Sequence, residues 1–364
     1  MYNPNNLAVY IHWPFCKSKC PYCGFYSQIN SQINQDNLIA EYLDALQYYH
    51  NLTSERIVHS IFFGGGTPSL IKPQNIEKII DFITSKWHIA ENIEISLEAN
   101  PNSRYTTMFT DLKNAGINRL SLGVQALNDI DLRFLGRSHS LAAARQCLQE
   151  IVKVFNNCSA DLIYARPHQQ INQWLQELTE ICSYGLKHIS LYQLTIEENT
   201  VFARRGIEPL SENESIEMYQ QTQNFLNSHG YKQYEVSNFA RKGYKSRHNL
   251  TYWEGGDYLG IGVSAHGRLK FNNNHIATEY PFKHTILTPQ ERAEELIIMG
   301  LRLNKGINKQ NFEQICGLNL NNFINQQHVT ELKKLKLLKE TDSELRATSK
   351  GTLVLNEIIA QLCI

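Results

Sequence analysis

The sequence predicts an α/β protein in which an open, partial barrel of six βα units precedes a smaller C-terminal α/β domain of winged-helix-like character. Short runs rich in β-branched and aromatic residues alternate with longer segments in which apolar residues recur at spacings of three and four. Six such units are fewer than the eight of a closed barrel. The chain changes character after residue 270, which predicts one domain over residues 1–270 and a second over residues 271–364.

The predicted elements follow from these two periodicities. Each strand is a short β-branched or aromatic run, and the six are Leu7–His12, Ser60–Phe63, Ile93–Glu98, Arg119–Val124, Ala160–Tyr164 and His188–Gln193. The clearest helical patterns cover residues 37–50, 75–86, 140–155 and 171–182. The Asn-rich residues 271–280 are predicted as a loop or linker. Helices and a two-stranded wing are predicted beyond it.

Composition narrows the class of protein. Lys+Arg and Asp+Glu both number 35 in 364 residues, so no basic field indicates a nucleic-acid partner. The first thirty residues lack a signal-peptide pattern, and no apolar run approaches the roughly 20 residues that span a bilayer. We therefore expect a soluble, cytoplasmic protein. Peripheral membrane contact and the oligomeric state stay open.

Three closely spaced cysteines, Cys16, Cys20 and Cys23, directly follow the first predicted strand. Three thiolates at such spacing predict a [4Fe–4S] cluster in which one iron has no protein ligand. Structural zinc requires a fourth ligand that the sequence does not supply at matching spacing, and a disulfide would leave one thiol over. The remaining cysteines are scattered in mostly apolar surroundings and are predicted to lie in the core; they are Cys147, Cys158, Cys182, Cys316 and Cys363.

Polar or special residues stand where the predicted strands end, which is where barrel enzymes build their sites. In chain order they are Gly64–Thr67, Glu98, Gln125 and Gln193, and Asp161 stands within the fifth strand. An amino acid on the open iron needs acceptors for its ammonium and donors for its carboxylate; Glu98 with the glycine backbone, and Arg137, could supply them. Asp161 could bind a ribose. Taken singly, such residues are more often turns or helix caps.

These segments carry a family resemblance. They are YIHWPFCKSKCPYCGF, FFGGGTPSL, SLEANP, RLSLGVQALNDIDLRFLGRSH, DLIY, HNLTYWEGGDYLGIGVSAHG and the C-terminal LRATSKGTLVLNEII. Together they resemble the radical S-adenosylmethionine (SAM) superfamily and, within it, the group of oxygen-independent coproporphyrinogen III dehydrogenases and related heme chaperones. Most of the chain is covered by the resemblance.

The resemblance implies roles for individual residues. Cys16, Cys20 and Cys23 would ligate the cluster, and SAM would chelate its open iron. The residues that fall where the family contacts SAM are Tyr10, Gly65, Gly66, Thr67, Glu98, Gln125, Arg137 and Asp161. Tyr22 falls where the dehydrogenases contact a second SAM.

Two features imply the chaperone branch, which would deliver heme to a respiratory-chain acceptor protein. Phe25 stands where the dehydrogenases carry a further cysteine, and residues 248–253 match an HNxxYW pattern. His248 is then a candidate ligand of heme iron; alternatively it braces the barrel while Tyr252 and Trp253 fill core. His266 carries the same two alternatives.

Departures from the family leave other functions open. Ala165 replaces a usual glycine, Arg166 replaces an apolar residue, and Gly24 replaces a usual aspartate. Ala165 would strain any backbone that requires positive φ, and Arg166 would either pair with a propionate or point to solvent. The alternative functions are a SAM-dependent dehydrogenase that decarboxylates two propionates to form protoporphyrinogen IX, and a radical SAM enzyme on an unrelated substrate.

Overall fold

The six predicted strands are parallel neighbours within one twelve-stranded sheet in a computed structural model that describes residues 3–30, 33–101 and 105–363. Its first half contains β1 (Asn6–Trp13), β2 (Phe15–Cys16), β3 (Gln28–Ile29), α1 (Gln35–Thr53), β4 (Ile57–Gly65), α2 (Pro73–Lys86), β5 (His88–Ala99), α3 (Tyr105–Asn114), β6 (Arg119–Gln125), α4 (Asp129–Phe134), α5 (Leu141–Val154), β7 (Asn157–Tyr164), α6 (Ile171–Ser183) and β8 (His188–Gln193). The predicted strands and helices are confirmed, with ends shifted by a few residues.

Strands β1, β4, β5, β6, β7 and β8 are parallel neighbours in that order, and each of the five connections between them contains a helix. Their side chains alternate between two environments. On β5, for example, Ile95 and Leu97 join the apolar core, whereas Glu94 and Glu98 point to the other face. This alternation gives the partial (β/α) barrel an apolar outer layer and a polar interior, and it places the carboxyl ends of six strands on one rim.

The second half of the chain widens the sheet on both sides. It adds α7 (Val201–Arg204), α8 (Glu212–Ser228), β9 (Lys232–Gln233), β10 (Asn238–Ala240), α9 (Arg247–Trp253), β11 (Tyr258–Ile261), β12 (His266–Phe271), β13 (Asn274–Glu279) and β14 (Lys283–Leu287). Strand β11 pairs parallel to β1, and β10 pairs antiparallel to β8. The loop predicted for residues 271–280 is wrong, because β12 and β13 form a hairpin there.

The C-terminal part has a core of its own. It contains α10 (Pro289–Gly300), β15 (Ile307–Asn308), α11 (Lys309–Cys316), α12 (Leu320–Phe323), α13 (Gln326–Lys334), β16 (Leu338–Glu340), β17 (Glu344–Ala347), α14 (Ser349–Thr352) and α15 (Leu355–Leu362). The predicted two-stranded wing is β16–β17, and β15 adds a third strand. The predicted boundary at residue 270 stays a prediction, although the main sheet continues to Leu287.

None of the helices in the described ranges combines the length and the apolarity that crossing a membrane requires.

Candidate functional site

The three cysteines lie on a loop at the rim of the barrel. Cys16 ends β2, which pairs with β3 and thereby brings residues 28–29 back beside it. Cys20 and Cys23 follow in a turn whose backbone N–H of Cys23 donates to the carbonyl oxygen of Cys20 at 3.1 Å. All three thiols are free and only partly buried. The loop therefore presents three accessible sulfurs beside the end of β1.

The glycine run at the end of β4 packs directly against this loop. The amide of Gly66 donates to the carbonyl oxygen of Trp13 at 2.7 Å, and that of Thr67 donates to Phe15 at 2.9 Å. A Cβ on Gly66 would lie 2.7 Å from the Phe15 carbonyl oxygen, so only glycine permits this approach. The Thr67 hydroxyl in turn donates to the Cys16 sulfur at 3.4 Å.

Arg137 connects the cysteine loop to two further strand ends. Its Nη1 lies 3.5 Å from the Cys20 sulfur, and its Nη2 donates to the carbonyl oxygen of Gly123 at 3.0 Å and to the side chain of Asn100. Asn100 also donates to the Thr67 hydroxyl at 3.2 Å. Sequence reasoning missed Asn100, although it stands two residues after Glu98 in SLEANP and therefore on the same face of the chain.

Tyr22 lies between the second and third cysteines and is hydrogen-bonded to Arg137. Burial raises the pKa of the Tyr22 phenol, and the Arg137 charge opposes that shift. Burial likewise raises the pKa of the Cys23 thiol. The Arg137 guanidinium thus places a positive charge beside both the Tyr22 phenol and the Cys20 sulfur.

Two carboxyl groups face each other across the barrel interior. Glu98 accepts a hydrogen bond from the backbone of Gly65, and burial together with the charge of Asp161 raises its pKa to about 8. Asp161 accepts the Ser121 hydroxyl with both oxygens at 2.9 Å, and burial raises its pKa as well. Neighbouring acidic groups of this kind favour a cationic or hydroxyl-bearing ligand between them.

Tyr10 and Gln125 complete the predicted set. The Tyr10 hydroxyl and His12 Nδ1 lie 2.9 Å apart, and His12 Nε2 lies 3.2 Å from the carbonyl oxygen of Tyr26. Gln125 ends β6 in a left-handed backbone conformation, φ 69°. Such strain at a strand end is typical of functional sites. The structure thus brings the predicted residues to one rim and to the adjoining barrel interior, around the cysteine loop and the two carboxyl groups.

The donor set fits an iron–sulfur cluster better than a single metal ion. Within the described ranges, no three His, Cys, Asp or Glu side chains converge on one ion position. A [4Fe–4S] cluster makes no such demand, because each thiolate binds a different iron. Donors from Thr67 and Arg137 already point at two of the three sulfurs, and hydrogen bonds to sulfur tune such clusters.

His248 lies in the barrel interior, toward the amino-terminal ends of β4 and β5. Its ring is 0 % exposed, and its nitrogens lie 3.0 Å from the Ser60 hydroxyl and 2.5 Å from the Tyr252 hydroxyl. It stacks on Phe62 with centroids 5.0 Å apart. Burial holds the pKa of its imidazole well below the usual range. Its prediction as a heme ligand stays a prediction; here both nitrogens are engaged within the protein.

Arg166 and Ala165, which both depart from the family pattern, lie next to each other after β7. The expectation for Arg166 is wrong, whereas Ala165 does adopt a positive φ. Arg166 neither points to solvent nor offers itself to a propionate: it is 1 % exposed and pairs with Glu177 and, at 3.1 Å, with Asp131. Ala165 has φ 56°, so the residue that replaces the usual glycine does sit in the left-handed region. Arg166 is therefore a buried structural residue that forms ion pairs within the protein.

Fold and site together define the class: a partial (β/α) barrel with a three-cysteine loop at its rim is a radical SAM protein. The profile of the Radical SAM superfamily matches residues 10–181, and that of the HemN C-terminal domain matches residues 287–354. Among solved structures, coproporphyrinogen III oxidase (HemN) from Escherichia coli shares the fold, with a TM-score of 0.81 at 22 % identity over 98 % of this chain and 90 % of that chain.

Curated relatives narrow the family. Heme chaperone HemW of Haemophilus influenzae is 35 % identical over 373 residues, which is 97 % of both chains. Radical S-adenosyl methionine domain-containing protein 1, mitochondrial, of Bos taurus is 36 % identical over 383 residues, covering 98 % of this chain and 87 % of its own. This chain belongs to the HemW family of radical SAM proteins.

Proposed function

We propose that this protein is a heme chaperone that holds a [4Fe–4S] cluster, SAM and heme and transfers the heme to acceptor proteins. The observation that carries this proposal is the identity of 31–38 % over most of the chain with proteins named heme chaperone HemW. The site supports it, since the cysteine loop, Arg137 and the paired carboxyl groups stand at one rim. Respiratory-chain proteins as acceptors, a cytoplasmic location and peripheral membrane contact form part of the same proposal.

Different residues of the chain would bind the cluster and the separate groups of SAM. Cys16, Cys20 and Cys23 would hold the cluster, and Arg137 would neutralise negative charge beside Cys20. Glu98 and the Gly65–Gly66 backbone would accept the ammonium group of SAM, while Asp161 would accept its ribose hydroxyls. Cluster and SAM, when bound, supply the means for reductive cleavage of SAM. The contacts of Tyr10, Tyr22, Thr67 and Gln125 with SAM belong to this proposal.

A second candidate is a coproporphyrinogen III dehydrogenase, because the fold of HemN is shared at a TM-score of 0.81. Fold likeness alone does not transfer an activity. Phe25 argues against this candidate, since it removes the additional thiol that the dehydrogenases carry next to the cluster loop. We therefore rank the chaperone first.

The test compares the two activities on one preparation. Protein with a reconstituted cluster is titrated with heme, then mixed with a heme-free b-type cytochrome, and heme transfer is followed by absorbance. In parallel, SAM, a reductant and coproporphyrinogen III are added anaerobically, and mass spectrometry measures protoporphyrinogen IX and 5′-deoxyadenosine.

We expect heme binding and transfer without protoporphyrinogen IX. Formation of protoporphyrinogen IX with 5′-deoxyadenosine would instead identify the dehydrogenase. Cys20→Ser should lose iron and sulfide, whereas Cys182→Ser, a partly buried cysteine away from the rim, should retain both. That pair shows whether the cluster loop is the metal site.

A further inference from the structure

The interior histidines are engaged within the protein. His248 contacts Ser60 and Tyr252, and His188 lies 2.8 Å from the Ser159 hydroxyl and 2.9 Å from the Tyr234 hydroxyl. To bind iron, either ring would have to give up a buried hydrogen bond, which is costly. A histidine that accepts a large planar iron complex from solvent should instead have a free ring nitrogen at an open surface.

His266 meets that requirement. It is exposed, and no ring hydrogen bond of His266 occurs within the described part of the chain. The carboxylate opposite it in the β12–β13 pair, Glu279, is already engaged by Lys283 at 2.7 Å. The imidazole is therefore available to an incoming ligand.

The backbone places His266 beside the rim of the barrel. Gly260 pairs with Tyr10 in register, so both residues face the barrel interior. A Cβ on Gly260 would lie 2.3 Å from the His266 carbonyl oxygen, and one on Gly262 would lie 2.4 Å from that of His12. The turn from β11 to β12 thus folds over the inner face of β11 at the end of β1.

Exposed apolar side chains stand on two segments that both adjoin His12. Val263, within the β11–β12 turn, is 43 % exposed, while Phe25 and Tyr26 at the end of the cysteine loop are 72 % and 40 % exposed. Tyr26 lies against His12, with ring centroids 6.3 Å apart and its carbonyl oxygen 3.2 Å from the His12 ring. Both segments therefore adjoin His12.

We propose that His266 is the axial ligand of heme iron and that Val263, Phe25 and Tyr26 contact the faces of the porphyrin. This inference rests on the proposed function and names the site where the cargo binds. An exposed imidazole next to aromatic and aliphatic side chains matches the two chemical parts of heme, its iron and its apolar plane. With this ligand, heme would bind next to the cluster loop, and His248 would keep its buried hydrogen bonds to Ser60 and Tyr252.

The experiment is a heme titration of the full-length protein, with and without its cluster, followed by absorbance in the Soret region. His266→Ala should shift the Soret band and weaken heme affinity about tenfold or more, through loss of the iron–nitrogen bond. Added imidazole should restore the wild-type spectrum. His168→Ala is the matched control, an exposed histidine in the loop after β7, and should bind heme like wild type.

The outcomes separate the two proposals. Wild-type protein that binds no heme would refute the proposed function itself. Wild-type binding that His266→Ala leaves unchanged in affinity and spectrum would refute the assignment of His266 alone. A Soret shift in His248→Gln but not in His266→Ala, with unaltered circular dichroism, would return the ligand to His248.

Discussion

Glu98 shows how one residue can link the site to the stability of the fold. Burial and the charge of Asp161 raise the pKa of its carboxyl from the ordinary 4.5 to about 8. Between these two values the folded state binds a proton that the unfolded state has already released. The free energy of unfolding therefore falls as the pH rises through this window, and the loss is complete above it.

We predict that Glu98→Gln removes this pH dependence. At pH 5 the variant and the wild type should unfold similarly, whereas near pH 9 the variant should be more stable by on the order of 2–4 kcal/mol. Urea denaturation of the cluster-free protein at both values measures the difference. Glu91→Gln, an exposed residue on the same strand, should leave the pH profile unchanged. Equal profiles for Glu98→Gln and wild type would contradict the raised pKa.

At the scale of elements, Arg166 ties three segments together behind the rim. Its guanidinium pairs with Glu177 of α6 and with Asp131 of α4, and it donates to the carbonyl oxygen of Gln125 at 3.4 Å. Glu177 also accepts the amide of Leu127 at 3.0 Å. The strained end of β6 and the helix that leads to Arg137 are thus fixed by one buried ion pair.

Arg166→Leu should therefore destabilise the protein by about 3–5 kcal/mol, because it leaves the Glu177 carboxylate buried without its partner. Urea denaturation measures this loss, and Arg166→Leu combined with Glu177→Leu should recover much of it. Arg145→Leu is the control: that arginine, on α5, pairs with Glu180 of α6 at 2.8 Å but is 48 % exposed. We expect it to cost less than about 1 kcal/mol. Equal losses for the two arginine variants would refute the buried role.

The elements that sequence predicted correctly are those whose periodicity reflects their own burial. Strands such as Arg119–Gln125 and helices such as Leu141–Val154 each present one apolar face, and that pattern is visible along the chain. Strands β9 to β14 are short or lie at the sides of the sheet, so the pattern fades. Asn272 and Asn273, read as part of a linker, have φ 49° and 63° and close a two-residue hairpin instead.

The residues of the site likewise differ in how far the sequence predicts them. Spacing alone identified the cysteine loop, because all three sulfurs come from one segment. Arg166 pairs with Asp131 on α4, 35 residues before it, and with Glu177 on α6, 11 residues after it. No local sequence pattern predicts pairs at these separations. The packing of α9 determines whether His248 faces a cavity or the core. In the structure, Glu94 accepts hydrogen bonds from the backbone amides of Arg247 and His248 and so fixes the start of that helix. Tertiary packing determines such contacts.

At the scale of the whole molecule, Arg292 joins the C-terminal part to the barrel. It is 5 % exposed; its Nη2 donates to the carbonyl oxygen of Gly255 at 2.7 Å, and its Nη1 pairs with Glu295 at 2.8 Å. Glu295 in turn binds Arg268 of β12. The close approach of α10 also depends on Gly255, because a Cβ there would lie 2.1 Å from Leu296. We infer that these contacts make the two parts unfold together.

Breaking that junction should separate the two unfolding transitions. Trp13, Trp87 and Trp174 are buried in the barrel core, so most of the tryptophan fluorescence reports on the barrel, and only Trp253 lies at the junction. Far-ultraviolet circular dichroism reports on both parts. In wild type the two denaturation curves should coincide. Arg292→Met leaves the Gly255 carbonyl without its donor, so the dichroism curve should begin to fall at lower urea than the fluorescence curve. Lys305→Met removes an exposed pair with Glu254 across the same junction and should keep the curves together. Coincident curves in Arg292→Met would mean that apolar packing of α10, and not its buried arginine, couples the C-terminal part to the barrel.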